Sequence, residues 1–338
     1  MRIKAFQKTL NLSILLKNKQ DLRYLLGKEV MHGFLLLKPK KDAVFFGDGL
    51  EKVPVTSDRF SNIQKYLGKA KQLGVDSELN LGEQVFLKSK LKGVSLLPVS
   101  RPLKDFRVIK ESHEIKHIAA AQKITGKVFA LVLKELRTRA HTELSLARFI
   151  KIKGLELGVE DVSFPPIVAA GKNAAIPHHC PSKVKLKKGQ SIILDFGFKI
   201  QGYCSDFTRT VFLKTVPSKL KMYYEQTEQA YYAGIAAVKP QVSAAQVHET
   251  AAKVLAEKSL DRLFIHSLGH GIGLNIHEPP AISPYSKDVL NPGMVFSIEP
   301  GVYDSKAGGI RIEDLFVIKN NKAEQLSSIS VKLADMVI

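Results

Sequence analysis

The sequence predicts an α+β protein with two domains. Residues 1–108 alternate short apolar strands with polar turns, which is typical of a small α/β domain. Beyond residue 108 the pattern changes to long amphipathic helices interspersed with apolar strands. A chain of 338 residues is long enough to bury a core in each domain.

The N-terminal domain is predicted from two apolar runs, residues 33–38 and 43–46, on either side of the polar stretch K-P-K-K-D. A turn is expected at residues 47–49, and helical periodicity returns between residues 57 and 73. No group of residues in this domain suggests catalysis. We place its boundary near residues 102–112.

Four helices are predicted in the C-terminal domain, over residues 111–139, 142–157, 218–238 and 243–260. Thr142 suits the N-cap of the second, Pro240 follows the third, and Ser243 with Gln246 fits a capping box at the start of the fourth. Their apolar residues recur at helical spacing, so we expect these helices to be scaffold.

Composition narrows the class of protein. Hydrophobic residues make up 45% of the chain and charged residues 25%, as in an ordinary soluble protein. Two cysteines, Cys180 and Cys204, cannot form a disulfide framework, so free thiols and a cytoplasmic location are expected. No apolar run approaches the ~20 residues of a membrane span. The formal charge is +19, but the lysines are scattered, which favours a solvated basic surface over nucleic-acid binding.

The stretch S-I-I-L-D-F-G-F-K-I-Q-G-Y-C-S-D-F-T-R-T-V, residues 191–211, predicts a β-hairpin. With a turn centred on Ile200 and Gln201, Asp195 and Asp206 are expected as directly opposite partners on one face. Two like charges at that spacing repel each other, and divalent metal ions would compensate them. The alternative is a surface hairpin with both carboxylates in water.

Three histidines, His266, His270 and His277, follow in a glycine-rich segment that disfavours a helix and is expected to form loop and strand. Glu299 and Glu313 are predicted in two later apolar strands. A buried carboxylate is costly unless it is paired or binds a metal, so this pattern also indicates a metal site.

The motifs D-F-G, S-D-F-T-R-T, H-G-I-G-L-N-I-H, I-E-P-G and R-I-E-D, in this order, resemble those of the pita-bread-fold metallopeptidases, specifically the Xaa-Pro peptidases aminopeptidase P and prolidase. Upstream, F-P-P-I-V-A-A-G-K-N-A-A-I-P-H is similar to the family's substrate-site segment. The resemblance covers essentially the whole chain. It implies a catalytic pita-bread domain over residues 109–338 and a smaller creatinase- or prolidase-like α/β domain over residues 1–108.

The resemblance implies five ligands for two divalent metal ions: Asp195, Asp206, His270, Glu299 and Glu313. Asp206 and Glu313 would bridge the two ions. Four carboxylates offset the charge of two dications, which supports the set. Such a carboxylate-rich site suits Mn2+, and Co2+ or Zn2+ could also occupy it.

The remaining site residues also follow from the resemblance. His178, His266 and His277 match histidines that contact substrate or shuttle protons, and Arg311 matches an arginine that orients a ligand carboxylate. A hydroxide held between the metals would attack the carbonyl before proline. Glu299 would accept and return the proton, and His277 would stabilise the developing oxyanion.

The expected activity is that of an Xaa-Pro aminopeptidase, with Xaa-Pro dipeptidase left open. Ala281 stands where some prolidases carry an arginine that binds the carboxylate of a dipeptide. Its absence favours peptides longer than a dipeptide as substrates. The expected partners are a proline-containing peptide and, in a homodimer, a second copy of the chain. The alternative of a different class is a catalytically idle homologue that binds protein or nucleic acid, which normally lacks metal ligands.

Overall fold

The computed structural model describes residues 2–30, 32–39, 41–47, 55–56, 63–100 and 102–338; for residues 55 and 56 it describes the backbone alone. The chain divides into two compact units, Met1–Arg107 and Val108–Ile338. That the first unit is a creatinase-like domain and the second a catalytic domain stays a prediction.

In its described residues, the first unit contains a six-stranded sheet and five helices. The strands are β1 (Ser13–Leu16), β2 (Phe34–Leu37), β3 (Val44–Phe46), β4 (Val55–Thr56), β5 (Gln72–Asp76) and β6 (Ser95–Val99), in the order β4-β3-β2-β1-β5-β6. The helices are α1 (Arg2–Gln7), α2 (Lys19–Leu26), α3 (Ile63–Leu67), α4 (Leu81–Lys90) and α5 (Lys104–Val108). Both strands predicted around K-P-K-K-D are confirmed.

The helix predicted over residues 57–73 is shorter in its described part. Gly68 follows α3 with a φ of 72°, a conformation that ends helices, and residues 72 and 73 belong to β5. Residues 57–62, and residues 48 and 49 of the predicted turn, lie outside the described residues.

The second unit is built on four helices: α6 (Ser112–Thr138), α7 (Glu143–Glu156), α8 (Ser218–Ala237) and α9 (Ala244–Ala256). All four match predicted helices. Thr142 caps α7, with its side chain accepting a hydrogen bond from the Ser145 N–H. The capping box predicted for α9 does not form: Ser243 makes no side-chain cap bond, and its backbone instead pairs with Val289.

The strands of the second unit form small antiparallel sheets. They are β7 (Asp161–Val162), β8 (Ile167–Ala170), β9 (Ser191–Asp195), β10 (Phe198–Ile200), β11 (Tyr203–Cys204), β12 (Thr208–Phe212), β13 (Gly269–Gly271), β14 (Glu278–Ile282), β15 (Val295–Ile298), β16 (Gly301–Asp304), β17 (Gly308–Arg311), β18 (Asp314–Lys319) and β19 (Lys322–Gln325). The sheet orders are β11-β10-β7, β12-β9-β8, β14-β13-β15-β18-β19 and β16-β17.

The main apolar core of this unit lies between these helices and sheets, with side chains such as Val128 of α6, Tyr224 of α8 and Phe316 of β18. Helices together with antiparallel sheets confirm the predicted α+β class. Within the described ranges, none of the helices is long and apolar enough to cross a membrane. Both cysteines are free; Cys180 is exposed and Cys204 is buried.

Candidate metal centre

A hairpin carries the two aspartates, but its turn lies one residue later than predicted. Lys199 pairs with Cys204, so the turn falls at Gln201 and Gly202, which both have positive φ. Asp195, the last residue of β9, therefore pairs with Thr208 rather than with Asp206. Glycine tolerates positive φ without strain, and Gly202 favours this turn position.

The two aspartates nevertheless remain close. Moving the turn by one residue shifts each partner by two positions, and side chains alternate between faces with a period of two. Gly197 lets the strands approach closely here, since a Cβ at this position would stand 1.9 Å from the Ser205 carbonyl oxygen. The negative charge of Asp195 is accordingly among the causes that raise the pKa of Asp206.

Asp206, His270 and Glu313 converge on one point. One potential ligand atom from each lies within 4.8 Å of those of the other two. His270 Nδ1 lies 3.1 Å from the Gly271 carbonyl, so in the tautomer in which Nδ1 donates to that oxygen, Nε2 is left as the ligand atom. His270 Nε2 lies 3.5 Å from Asp206 Oδ2 and 3.4 Å from Glu299 Oε1.

Both glutamates lie at strand ends rather than inside strands as predicted. Glu299 directly follows β15, and the next residue, Pro300, has no N–H to continue a ladder. Glu313 lies between β17 and β18, where its N–H donates to the Thr208 carbonyl at 3.0 Å. At strand ends, both side chains can turn toward His270 and Asp206.

Two carboxylate oxygens in this cluster have no hydrogen-bond partner. They are Asp195 Oδ1 and Glu313 Oε1, and both are buried. The other oxygen of each is satisfied: Arg311 donates to Asp195 Oδ2, and the Thr208 hydroxyl donates to Glu313 Oε2 at 2.7 Å. Buried charged atoms without a partner are unfavourable, so these oxygens fit a cation-binding role.

The carboxylates also hold their protons tightly. Burial, followed by the charges of Asp195 and Glu299, raises the pKa of Asp206 well above its usual range. Burial and then the charge of Asp206 do the same for Glu313. Burial raises the pKa of Glu299 to about 8. Oxygen-rich, like-charged groups of this kind, together with one imidazole, are the donor set that divalent cations bind.

These pKa shifts predict how metal should stabilise the protein at different pH values. Without metal, Glu299 has a pKa of about 8 in the folded chain and about 4.5 in the unfolded chain. Between these pH values the folded chain therefore holds more protons than the unfolded chain, so the free energy of unfolding falls as pH rises through that window. Bound metal displaces those protons. The rise in Tm on adding Mn2+ to chelator-treated protein should therefore be larger at pH 8 than at pH 5. An equal or smaller rise at pH 8 would contradict this expectation.

The three other histidines predicted as site residues, His178, His266 and His277, lie near the same cluster. The His277 ring lies 4.2 Å from that of His270, centroid to centroid, and its side chain is exposed. His266 Nε2 lies 2.8 Å from the Tyr303 hydroxyl. His178 is exposed and close enough to Asp195 to influence its pKa: burial raises that pKa, and Arg311 and then His178 oppose the rise only in part.

Two supporting residues were missed in the sequence. The Tyr303 hydroxyl accepts a hydrogen bond from Arg311 Nη1 at 2.8 Å, which links Arg311 to His266. The Thr208 hydroxyl also accepts from Arg311 Nε at 3.2 Å while it donates to Glu313. Thr208 stands in the motif S-D-F-T-R-T, close to Asp206, and Tyr303 follows Glu299 in I-E-P-G-V-Y. Proximity in sequence to these acidic residues was the signal that could have identified them.

A buried ion pair anchors the His277 segment. The Glu278 carboxylate accepts from Lys110 Nζ at 3.2 Å and from the Asn275 N–H at 2.9 Å. Because both oxygens are engaged and the pair is buried, the chain on either side of His277 is held in one conformation.

Comparison with known proteins agrees with this geometry. Residues 116–320 match the model of metallopeptidase family M24. The chain is 32% identical to the Xaa-Pro dipeptidase of Pyrococcus horikoshii over 324 residues, which cover 93% of this chain and 92% of that protein.

Solved structures give the same result. The Xaa-Pro dipeptidase from Bacillus anthracis superposes with a TM-score of 0.93 at 28% identity, over 100% of this chain and 99% of that one. The X-Pro aminopeptidase from Thermotoga maritima superposes with a TM-score of 0.87 at 26% identity, over 97% of each chain. The predicted pita-bread fold and hydrolase class are confirmed. The chain belongs to metallopeptidase family M24 and groups with its Xaa-Pro peptidases, as the sequence motifs predict.

Proposed function

We propose that this chain hydrolyses the peptide bond before proline at the N-terminus of peptides, using two divalent cations. The proposed ligands are Asp195, Asp206, His270, Glu299 and Glu313, with Asp206 and Glu313 shared by both ions. The observation that carries the proposal is the convergence of buried carboxylates on His270, with two buried oxygens left without a hydrogen bond.

The protein side chains have separate tasks in this reaction. When bound, two divalent cations lower the pKa of water and so supply a nucleophile at neutral pH. Glu299 accepts a proton and returns it to the leaving amine. His277, exposed beside His270, donates a hydrogen bond to the substrate carbonyl oxygen as negative charge develops there. Arg311 holds Asp195 in its ligand orientation, and Tyr303 holds Arg311.

Proline explains why a dedicated enzyme is needed. It lacks an N–H and has a fixed φ, so sites that bind extended, hydrogen-bonded substrates handle it poorly. His178 and His266 lie beside the proposed metal centre and would contact the substrate there. We propose Mn2+ as the resident ion, because four carboxylates and a single imidazole suit a hard cation.

The direct test is hydrolysis of an Xaa-Pro dipeptide and an Xaa-Pro-Yaa tripeptide, each with and without Mn2+. The matched control replaces proline by alanine in both peptides. Mn2+-dependent cleavage of the proline peptides alone supports the proposal. Equal cleavage of the alanine peptides, or no cleavage of either proline peptide, would count against it.

Ala281 bears on substrate length. It is the strand partner of His270, so the two side chains project from the same face of the sheet, and Ala281 is exposed. We expect Ala281→Arg to raise kcat/KM for the dipeptide relative to the tripeptide by about 10- to 100-fold, since a hydrogen bond to a charged group contributes about 1.5–3 kcal/mol. Ala281→Gln, which adds length without charge, is the control. A change of the same factor for both substrates would contradict a carboxylate-binding role at this position.

The alternative function, an idle homologue that binds protein or nucleic acid, has no observation in its favour. All five proposed ligands are present, and they lie in one unit. We also propose a cytoplasmic location, which the two free cysteines support. The homodimer stays a prediction, to be checked by light scattering.

A further inference from the structure

One of the buried carboxylates outside the proposed metal ligands belongs to Glu143. Glu143 is the first residue of α7, directly after the N-cap residue Thr142, and none of its side chain is exposed. An isolated buried carboxylate would be very unfavourable, so its contacts must compensate the loss of water.

Both oxygens of Glu143 are fully engaged. Oε1 accepts from the Ala170 N–H at 2.8 Å and from Asn173 Nδ2 at 3.0 Å. Oε2 accepts from the Ser182 N–H at 3.0 Å and the Ser182 hydroxyl at 2.6 Å, and it lies 2.9 Å from His179 Nε2. One carboxylate therefore joins the two ends of the segment formed by residues 170–182.

The charge of this carboxylate is stabilised where it lies. Burial alone would raise the pKa of Glu143, but hydrogen bonds from Ser182, Asn173, His179 and Ala170 outweigh it and lower the pKa. The N-terminus of α7 adds a favourable dipole. Glu143 is thus an ionised hydrogen-bond acceptor at neutral pH.

The segment that Glu143 closes carries His178. It begins with a 3₁₀ helix, Gly171–Ala175, packed so closely against β17 that a Cβ on Gly309 would stand 1.9 Å from the Ala174 carbonyl oxygen. Near its end, Arg311 Nη1 donates to the Pro177 carbonyl at 3.5 Å. The segment is therefore held by Glu143 at both ends and by β17 between them.

His178 is placed by its two neighbours in the chain. Its own side chain is exposed, so burial does not fix its position. Pro177 is held through its carbonyl by Arg311, and His179 is held through its ring by Glu143. The backbone of His178 is consequently positioned by groups that act on its two neighbours.

We propose that Glu143 is a positioning residue that sets the backbone position of His178 beside the proposed metal centre. The inference rests on the proposed function, in which His178 contacts the substrate or transfers a proton. It adds a residue that acts through the backbone of a neighbouring segment.

The test uses Glu143→Gln in the full chain. The amide nitrogen replaces one acceptor oxygen with a donor, so one end of the segment must separate from α7. We expect faster backbone hydrogen exchange over residues 170–182 and a kcat lowered by up to about 100-fold, the loss that misplacement of a reacting group by ~1 Å can cause. Metal content should stay at the wild-type value, because no proposed ligand is changed.

A double-mutant cycle separates positioning from general destabilisation. If Glu143 acts through His178, Glu143→Gln should have little further effect on kcat in a His178→Ala background. Asp21→Asn is the matched control: it also converts a buried carboxylate to an amide, removes an ion pair with Arg107, and lies in the other unit. It should leave hydrogen exchange over residues 170–182 unchanged.

Each outcome is decisive. Unchanged hydrogen exchange in Glu143→Gln, or the same fold loss of kcat with and without His178, overturns the inference. Should Glu143→Gln fail to fold, Ser182→Ala removes one donor and keeps the carboxylate, and a smaller effect in the same direction is expected. If the wild-type chain cleaves no Xaa-Pro peptide, the proposed function fails. The hydrogen-exchange measurement still tests whether Glu143 holds residues 170–182 in place.

Discussion

Replacing Asp206 by alanine should remove both metal ions and abolish peptidase activity. Asp206 lies in the cluster with His270 and Glu313, and we propose it as a ligand shared by both ions. Asp195→Ala should be less damaging to metal content, because Asp195 is proposed to bind only one ion and its carboxylate also accepts a hydrogen bond from Arg311. Elemental analysis of each variant after equilibration with Mn2+ measures the difference.

The control for these two variants is a carboxylate outside the proposed ligands. Asp304 accepts hydrogen bonds from Lys219 and Tyr223, and Asp304→Asn should keep wild-type metal content. We expect about two ions per chain in this control, about one in Asp195→Ala and none in Asp206→Ala. Equal metal content in the two aspartate variants would contradict the assignment of Asp206 as the bridging ligand.

Replacing His277 by alanine should lower kcat by about 10² to 10³, the usual loss for one donor to a developing oxyanion. A hydrogen bond that strengthens only in the transition state affects kcat more than KM. Steady-state kinetics on an Xaa-Pro-Yaa tripeptide measures both constants. Metal content should not change, since His277 lies beside the proposed ligand His270 and is not among the proposed ligands.

His266 provides the matched comparison within the same glycine-rich segment. Its ring contacts the Tyr303 hydroxyl and the Ser267 carbonyl, and burial, followed by the charge of Arg311, lowers its pKa to about 4. A neutral ring held in this way shapes the pocket, so His266→Ala should act mainly on KM. An unchanged kcat in His277→Ala, or metal lost in proportion to activity, would refute this division of roles.

Elements with strong local signals were predictable from the sequence. The apolar residues of α6 recur at helical spacing, and the buried residues Ile115, Ile118, Val128 and Val132 lie on that face. The Thr142 cap was also recognisable, because a capping residue acts on its own first turn. Local chemistry alone decides such features.

The hairpin register depended on a choice that local chemistry leaves open. Turns centred on Ile200–Gln201 and on Gln201–Gly202 both preserve the alternation of faces, so the hydrophobic pattern cannot separate them. Positive φ at Gly202 and the close approach at Gly197 select the second. The prediction that Asp195 and Asp206 share a region was robust, whereas their direct pairing was wrong.

Contacts between distant segments set the remaining features. Tyr303 and Thr208 are ordinary strand residues until the fold places Arg311 between them. The role of Glu143 likewise depends on residues 27 to 39 positions further along the chain. Spacing along the sequence gives no indication of such contacts.

The most direct test of the two-metal account is activity during removal and return of metal. Protein treated with a chelator until elemental analysis finds no metal should cleave no Xaa-Pro peptide. Stepwise addition of Mn2+ should restore activity, with full recovery at about two ions per chain. Undiminished cleavage by protein shown to be free of metal would contradict the account.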